Sequence, residues 1–399
     1  MTSRLPGFYR LPLQERLDLL SGAADLTASE REHLESGTPL QPSQADNMIE
    51  NAIGIFALPY AVAVNFQVNG RDYLIPMVTE EPSVVAAASN AARVTRECGG
   101  IEAEADPSLM IGQIHVTAVT DPETARERIR GAASQLVAMA RSQQPRMVAR
   151  GCGAREIDAE VLPDRSLLVH LVVDVGDAMG ANTINTLVEA IAPEIVAVAG
   201  GVANVRIVSN LADRRMARAR TAIGEASLKA PDRTGADIAQ RIAQASQLAT
   251  VSPHRAATHN KGVMNGIDAM AIATGQDWRA IEAGAHAFAS RTGSYQPLAT
   301  WRHENAVLRG LIEIPLAVGT VGDRIRLNPR AGLSLRLLGV SSARELAMVM
   351  AAVGLAQNFA ALRALVGEGI QRGHMALHRR SEERARLTSA VPGRRGPDP

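Results

Sequence analysis

The sequence predicts an α/β protein in which a small α/β module is inserted into a larger, mostly helical domain. Strand-like runs rich in β-branched residues, QIHVTAVT, EIDAEVL and SLLVHLVVDV, fall in the middle third of the chain. Helix-like segments, ETARERIRGAASQLVAMARS and NTINTLVEAIAPEIVAVA, are interleaved with them over roughly a hundred residues, the size of a compact unit. On either side, runs such as LQERLDLL carry apolar residues at helical spacing.

LQERLDLL itself predicts a short amphipathic helix near the amino terminus. FQVNGRDYLIPMV (66–78) reads as a hairpin, because Asn69-Gly70 between apolar arms signals a type I′ turn. Ser83 is placed to cap a helix that runs through small residues to Gly99 and Gly100. After SNLADRRMARARTAI the chain is expected to become helical, with stop signals at Pro231 and Pro253. Gly310 to Leu337 looks strand-like and rich in turns, a further helix starts at Ala343, and VPGRRGPDP reads as a frayed tail. No internal repeat is visible.

The 399 residues suffice for two or three domains. Aromatic residues are only 3%, so Ala, Val, Leu and Ile must fill the core. Lysines and arginines number 42 against 41 acids, a formal charge of +1, which supplies no field for nucleic acid or an anionic membrane. Cys98 and Cys152 form no CxxC pair, so a reducing cytoplasm is expected. The amino terminus has Pro and charges where a signal peptide needs an apolar run. LAMVMAAVGLA, from Leu346, is shorter than the ~20 residues of a membrane span and reads as a buried helix. A soluble, cytoplasmic protein is the expectation.

The candidate chemical residues each have two readings. Glu81 opens a small-residue helix, where the helix dipole favours a carboxylate, or is an ordinary first-turn acid. Lys261, in HNKGVMNG, has glycines that allow close approach by a substrate, or is a surface turn residue. Asp277 in TGQDWRAIEAGAH is a site acid or a helix N-cap, and His374 in GIQRGHMALH is a site base or a solvated helix residue. His374/His378 and Glu282/His286 are spaced to share a helix face, but neither pair has the HExxH form or an obvious third ligand, so no metal is expected. RGCGARE lacks the third glycine of a dinucleotide fingerprint. VDVGDAMGANTINTLVEA instead turns from strand to helix through Asp177, Met179, Gly180 and Asn182, where helix amides can face a phosphate.

Taken in order, SRLPGFYRL, MIENAIGIFALPYAVAVNFQVNG, IPMVTEEPSVVAAAS, DAMGANTINTLVEAIAP, SNLAD, HRAATHNKGVMNGIDA, ATGQDWRAIEAGAHAFASRTGSY and GLAQNFAALRALVGEGIQRGHMALH closely resemble class II hydroxymethylglutaryl-CoA (HMG-CoA) reductase. The resemblance implies a four-electron reduction of HMG-CoA to mevalonate and CoA by two hydride transfers, or the reverse oxidation. It implies NADH or NADPH as cofactor. Lys261, as a buried ammonium, would answer the oxyanion, with Asp277 beside it. Glu81 would supply a proton to mevaldehyde and His374 would protonate the CoA thiolate. Asp268 is expected to be structural. Ser83, Arg255 and Asn265 match positions that hold the HMG group, Asn210 and Gln357 match further pocket groups, and Glu50 lies in the ENxxG segment near the dimer interface and CoA. NADH users tend to carry an acid where this chain has Gln144, so the resemblance leaves NADH and NADPH both open. The implied layout is a large HMG-CoA-binding domain (1–108 and 216–372), an inserted nucleotide-binding domain (109–215) and a short carboxy-terminal flap (373–399). A homodimer with shared active sites is expected, or a higher assembly of dimers. The alternative is a catalytically impaired acyl-CoA- or nucleotide-binding protein of the same fold.

Overall fold

Three short helices lead in: α1 (Leu13–Ala24), α2 (Ala28–Glu35) and α3 (Pro42–Met48). The computed structural model describes residues 2–36, 40–367 and 369. The expected hairpin is β1 (Tyr60–Val68) with β2 (Arg71–Val78), paired antiparallel. Asn69 and Gly70 take φ of 51° and 76°, the two positive values that a type I′ turn demands. α4 (Val84–Glu97) follows with Ser83 at its N-cap, but Ser83 does not cap as expected. Its φ is 81° and its side chain bonds none of the helix amides. A non-glycine residue held there costs ~1–3 kcal/mol, which marks the turn as constrained for another purpose.

After β3 (Glu102–Ala105) comes the interleaved region: β4 (Leu109–Thr117), α5 (Pro122–Gly131), α6 (Ala133–Ser142), α7 (Pro145–Val148), β5 (Gly153–Val161), β6 (Leu167–Asp174), α8 (Ala181–Ala199) and β7 (Val202–Val208). Its strands form one antiparallel sheet in the order β5-β6-β4-β7, a split β-α-β-β-α-β arrangement. Helices α5, α6 and α8 pack on the sheet and close a separate core around Met110, Ile114, Ile129, Leu171 and Ile184.

The chain does become helical after SNLADRRMARARTAI, but that segment itself ends in a strand. β8 (Met216–Gly224) lies inside a second sheet, ordered β3-β8-β10-β9, with β9 (Ala299–Glu304) and β10 (Val307–Pro315). The reason is period-two patterning. Ala217 and Ala219 are buried, while Arg218 pairs with Asp106 and Glu313 and Arg220 pairs with Glu102 on neighbouring strands. The helices that follow are α9 (Gly235–Val251), α10 (Pro253–Ala273) and α11 (Trp278–Ala289). Pro253 opens α10 as well as following α9, because its fixed φ suits a first helical turn. The later part of Gly310–Leu337 is helical rather than strand-like: α12 (Asp323–Leu327) and α13 (Pro329–Leu338) precede α14 (Ala343–Val366).

α14 is long and apolar enough to cross a membrane by length and composition, yet it lies against α4, α9 and α10 with Leu346, Met350, Val353 and Phe359 fully buried. The larger core joins these helices to the hairpin and the second sheet. The contact of α10 with α14 is close because Gly266 has no side chain. A Cβ there would lie 2.9 Å from the Gln357 Cβ and 3.1 Å from the Val353 Cγ1. Gly266→Val should therefore lower unfolding stability by about 1–3 kcal/mol, read from the urea midpoint at unchanged m-value. An unchanged midpoint would show that the two helices can separate freely.

Candidate active site

Lys261 sits in the interior of α10, so the reading of it as a surface turn residue is corrected. The neighbouring residues explain why the lysine faces outward. The His259 ring Nε2 donates to the Ala299 carbonyl at 2.8 Å. Asn260 takes the Leu298 amide at 2.8 Å and donates to the Gln296 carbonyl at 2.9 Å. From α14, Asn358 donates to the His259 carbonyl at 3.1 Å and accepts from the Trp301 indole at 2.9 Å. These bonds fix the rotation of α10 about its axis. Burial, with Arg255 one turn away, holds the His259 pKa down at about 4, so the ring is neutral.

With the helix so oriented, Lys261 Nζ lies 2.7 Å from Glu81 Oε2, in the turn between β2 and α4. Two residues that the resemblance named separately thus meet from 180 residues apart. The ammonium is not buried, however: its side chain is 58% exposed against 33% for Glu81. So open an ion pair contributes only ~0–1 kcal/mol to stability.

Of the expected substrate groups, Arg255 and Asn265 lie on α10 and Gln357 on α14, which packs against it. Ser83, Arg255 and Gln357 each place a buried side-chain atom (Oγ, Nε and Oε1) where no protein partner reaches it. Buried polar atoms without partners are uncommon, and a polar ligand is one reason to retain them. Asn265 is half-buried one turn beyond Lys261 on the same helix face. Asn210 is exposed in the bend after β7, its carbonyl against Gly284 of α11. Glu50 is exposed in the turn after α3, beside the exposed Ile49, Ile53 and Phe56.

The expected nucleotide residues cluster at the start of α8. Gly180 is its N-cap with φ 101°, Asp177 and Asn182 are exposed, and Met179 is half-buried. Asp177 also accepts the Ala343 amide at 2.8 Å and so caps α14. Gln144 Nε2 reaches the Thr183 carbonyl in the first turn of α8 at 3.3 Å, while its buried Oε1 has no protein partner. A left-handed glycine, free helix amides and an orphaned carbonyl oxygen suit a nucleotide's phosphates and ribose.

Asp277 does not meet Lys261 within one chain. Its carboxylate takes the Ala280 amide at 3.2 Å as the N-cap of α11 and lies 3.4 Å from Arg279. The acid that holds the ammonium here is Glu81. His374 falls outside the described residues, as does the flap.

A profile for Hydroxymethylglutaryl-coenzyme A reductase matches residues 12–379. The chain belongs to the hydroxymethylglutaryl-coenzyme A reductase family. It is 50% identical over 386 residues to 3-hydroxy-3-methylglutaryl-coenzyme A reductase of Archaeoglobus fulgidus, covering 96% of this chain and 87% of the relative. A solved structure of the Streptococcus pneumoniae reductase aligns with a TM-score of 0.88 at 44% identity, covering 91% of this chain and 99% of that one. The class II S. pneumoniae enzyme bound to NADPH in open conformations aligns with a TM-score of 0.88 at 45% identity over the same shares. As a member of this family the chain is an oxidoreductase.

Family membership leaves Asp268 to be explained. It lies on α10 against Glu282 of α11, and burial, then the Glu282 hydrogen bond and charge, push its pKa up to about 8. Glu282 also bonds His286 Nε2, whose Nδ1 meets the Tyr295 hydroxyl at 2.7 Å. The pair Glu282/His286, weighed above as metal ligands, is thus engaged with itself. Asp268 binds its proton more tightly in the fold than in the unfolded chain, whose carboxyl titrates near ~3.9. Folding therefore gains from that proton in acid and loses the gain as pH rises from about 4 to about 8. Asp268→Asn, which keeps a donor toward Glu282 without the charge, should gain in Tm over the native chain as pH rises through this window. Thermal melts with parallel pH profiles for the two would contradict it.

Proposed function

We propose that this chain reduces HMG-CoA to mevalonate and free CoA through a site built on the Lys261–Glu81 contact, completed by a second copy. That 2.7 Å contact carries the reading, because it places a cation and a proton donor together, and the buried, unpartnered polar atoms of Ser83, Arg255 and Gln357 support it. NADPH or NADH, when bound, supplies a hydride in each of two rounds.

Each hydride attack leaves negative charge on a carbonyl oxygen, and Lys261 is the group that answers it. An aimed donor of this kind is worth ~2.7–4 kcal/mol. Glu81, hydrogen-bonded to the ammonium, hands a proton to the oxygen when mevaldehyde becomes mevalonate. Arg255 faces the substrate carboxylate, which its fork of N–H donors can bind bidentately, while Ser83 and Asn265 reach the HMG oxygens. Gln357, Asn210 and Glu50 are assigned further contacts with the substrate on the family resemblance. His374, from the tail, protonates the departing CoA thiolate.

Asp277 is supplied by the partner copy. Two observations support this: Lys261 is open in the single chain, and the segment after α3 exposes Ile53 at 105% and Phe56 at 90%. Apolar side chains so exposed mark an association surface. A covering subunit would desolvate the ammonium and strengthen its pull on the oxyanion. Residues 109–215 form the nucleotide module, with Asp177, Met179, Gly180 and Asn182 at the phosphates and Gln144 at the adenosine ribose. The neutral Gln144 does not repel a 2′-phosphate, which favours NADPH; the similar S. pneumoniae enzyme was solved with NADPH. No metal takes part in this scheme, and it operates in the cytoplasm.

Oxidation of NADPH or NADH on addition of HMG-CoA tests the reading directly. CoA binding without turnover by either nucleotide would favour the impaired alternative. Lys261→Ala should cut turnover about 10²-fold or more while leaving CoA affinity near native; near-native turnover would assign the oxyanion to another group. Gln144→Asp should raise the NADH-to-NADPH ratio of kcat/KM by ~10-fold, through charge repulsion of the 2′-phosphate. An unchanged ratio would remove Gln144 from the ribose.

A further inference from the structure

Between the nucleotide loop and Asp277 runs a buried frame of hydrogen bonds that none of the roles above uses. Arg215, immediately before β8, is 4% exposed and forms no ion pair among the described residues. Its guanidinium donates to main-chain carbonyls instead: Nη1 to Ala178 and Met179, each at 3.2 Å, and Nη2 to Val318. Burial lowers its pKa to about 10, against the charges of Asp174 and Asp177, so the group is cationic at neutral pH. A buried cation is costly unless its donors stay satisfied. Movement of the Asp177–Gly180 loop away from Arg215 would therefore strand that charge.

The frame continues through Gly319. The Thr320 amide donates to the Asp177 carbonyl at 2.9 Å, and a Cβ on Gly319 would lie 2.6 Å from the Met179 nitrogen. Only a glycine lets the loop backbone lie so close. Gln276, 8% exposed, then grips both sides of Gly319: its Nε2 donates to the Gly319 carbonyl at 2.9 Å, and its Oε1 accepts the Gly319 amide at 2.8 Å. The same Nε2 donates to the Thr274 carbonyl at 2.8 Å. The next residue in the chain is Asp277.

We propose that Arg215 and Gln276 are positioning residues that set the register between the nucleotide loop and the Asp277 carboxylate, so that hydride donor and acid meet the substrate from one rigid frame. Neither side chain touches substrate or nucleotide; both act through main-chain atoms. The proposal rests on the reductase reading above and goes beyond it, since it assigns the geometry of hydride transfer to residues outside the pocket.

The test is the primary deuterium isotope effect on kcat, with the nucleotide that the native protein accepts deuterated at the transferred position. Nucleotide Kd, the KM for HMG-CoA and Tm are measured alongside. Gln276→Leu should lower kcat roughly 10- to 100-fold and raise the isotope effect, because a misplaced donor makes hydride transfer limiting. The KM for HMG-CoA should stay within about 2-fold of native, since uniform substrate binding is untouched. Arg215→Lys, which keeps the charge but not the fork, should fall between the native protein and Arg215→Met. Gln276→Glu keeps the acceptor for the Gly319 amide but loses the donor to both the Thr274 and Gly319 carbonyls, and should show a loss of the same kind if the other variants fail to fold. Activity lost only in proportion to the unfolded fraction, with a native isotope effect, would overturn the frame and leave the reductase reading standing. No turnover by the native protein with either nucleotide would overturn that reading, and this proposal with it.

Discussion

Everything in the site turns on the rotation of one helix. Lys261 meets Glu81 at 2.7 Å only because α10 is clamped about its axis by the two residues before the lysine. His259 and Asn260 direct their side chains to the chain segment entering β9, and α14 packs against the same helix where Gly266 lets it approach. A slip of one residue in that packing would swing the ammonium by about 100°, the angle between successive helix positions. The contact itself adds little to stability at 58% exposure. The fold carries the cost of holding it, and the buried hydrogen bonds around His259, Asn260 and Asn358 are where that cost is met.

Under the proposed reading the single chain presents two half-sites. One carries Lys261 and Glu81; Ser83, Arg255 and Gln357, each with a buried unpartnered polar atom, are assigned to it. The other carries Asp277 and, through Gln276, Gly319 and Arg215, the loop at the start of α8. Under the dimer reading each half completes the opposite half of its partner. That division explains why the acid expected beside Lys261 caps α11 here. A cation left open until a partner and substrate cover it gains electrostatic strength only when the site is assembled.

Much of this was legible in the sequence where local chemistry decides structure. Asn69-Gly70 specified its turn, and the β-branched runs marked the strands of the inserted module. Glu81 and Lys261 were named together only through the resemblance to a family, since nothing in their spacing links residues so distant. Other features were hidden for physical reasons. Gly262 and Gly266 suggested a turn around Lys261, but they serve helix packing against α14. The strand in MARARTAI was not marked beforehand, because its alternation is of alanine with arginine, and it is the cross-strand partners of Arg218 and Arg220 that hold it in the sheet. Arg215 and Gln276 bond main-chain carbonyls and amides, which any residue supplies, so no sequence pattern could single them out. The left-handed backbone of Ser83 likewise leaves no trace in residue type.

The central claim is that one catalytic centre draws Lys261 and Glu81 from one subunit and Asp277 from the other. It is tested by mixing two inactive variants, Lys261→Ala and Asp277→Ala, and allowing their subunits to exchange. Random pairing gives mixed dimers in which one of the two centres has every native group, so activity should recover to about one quarter of native. If all the groups came from the same chain, every mixed dimer would hold two damaged centres. Activity that stays at the level of the separate variants, with exchange confirmed, would contradict the account.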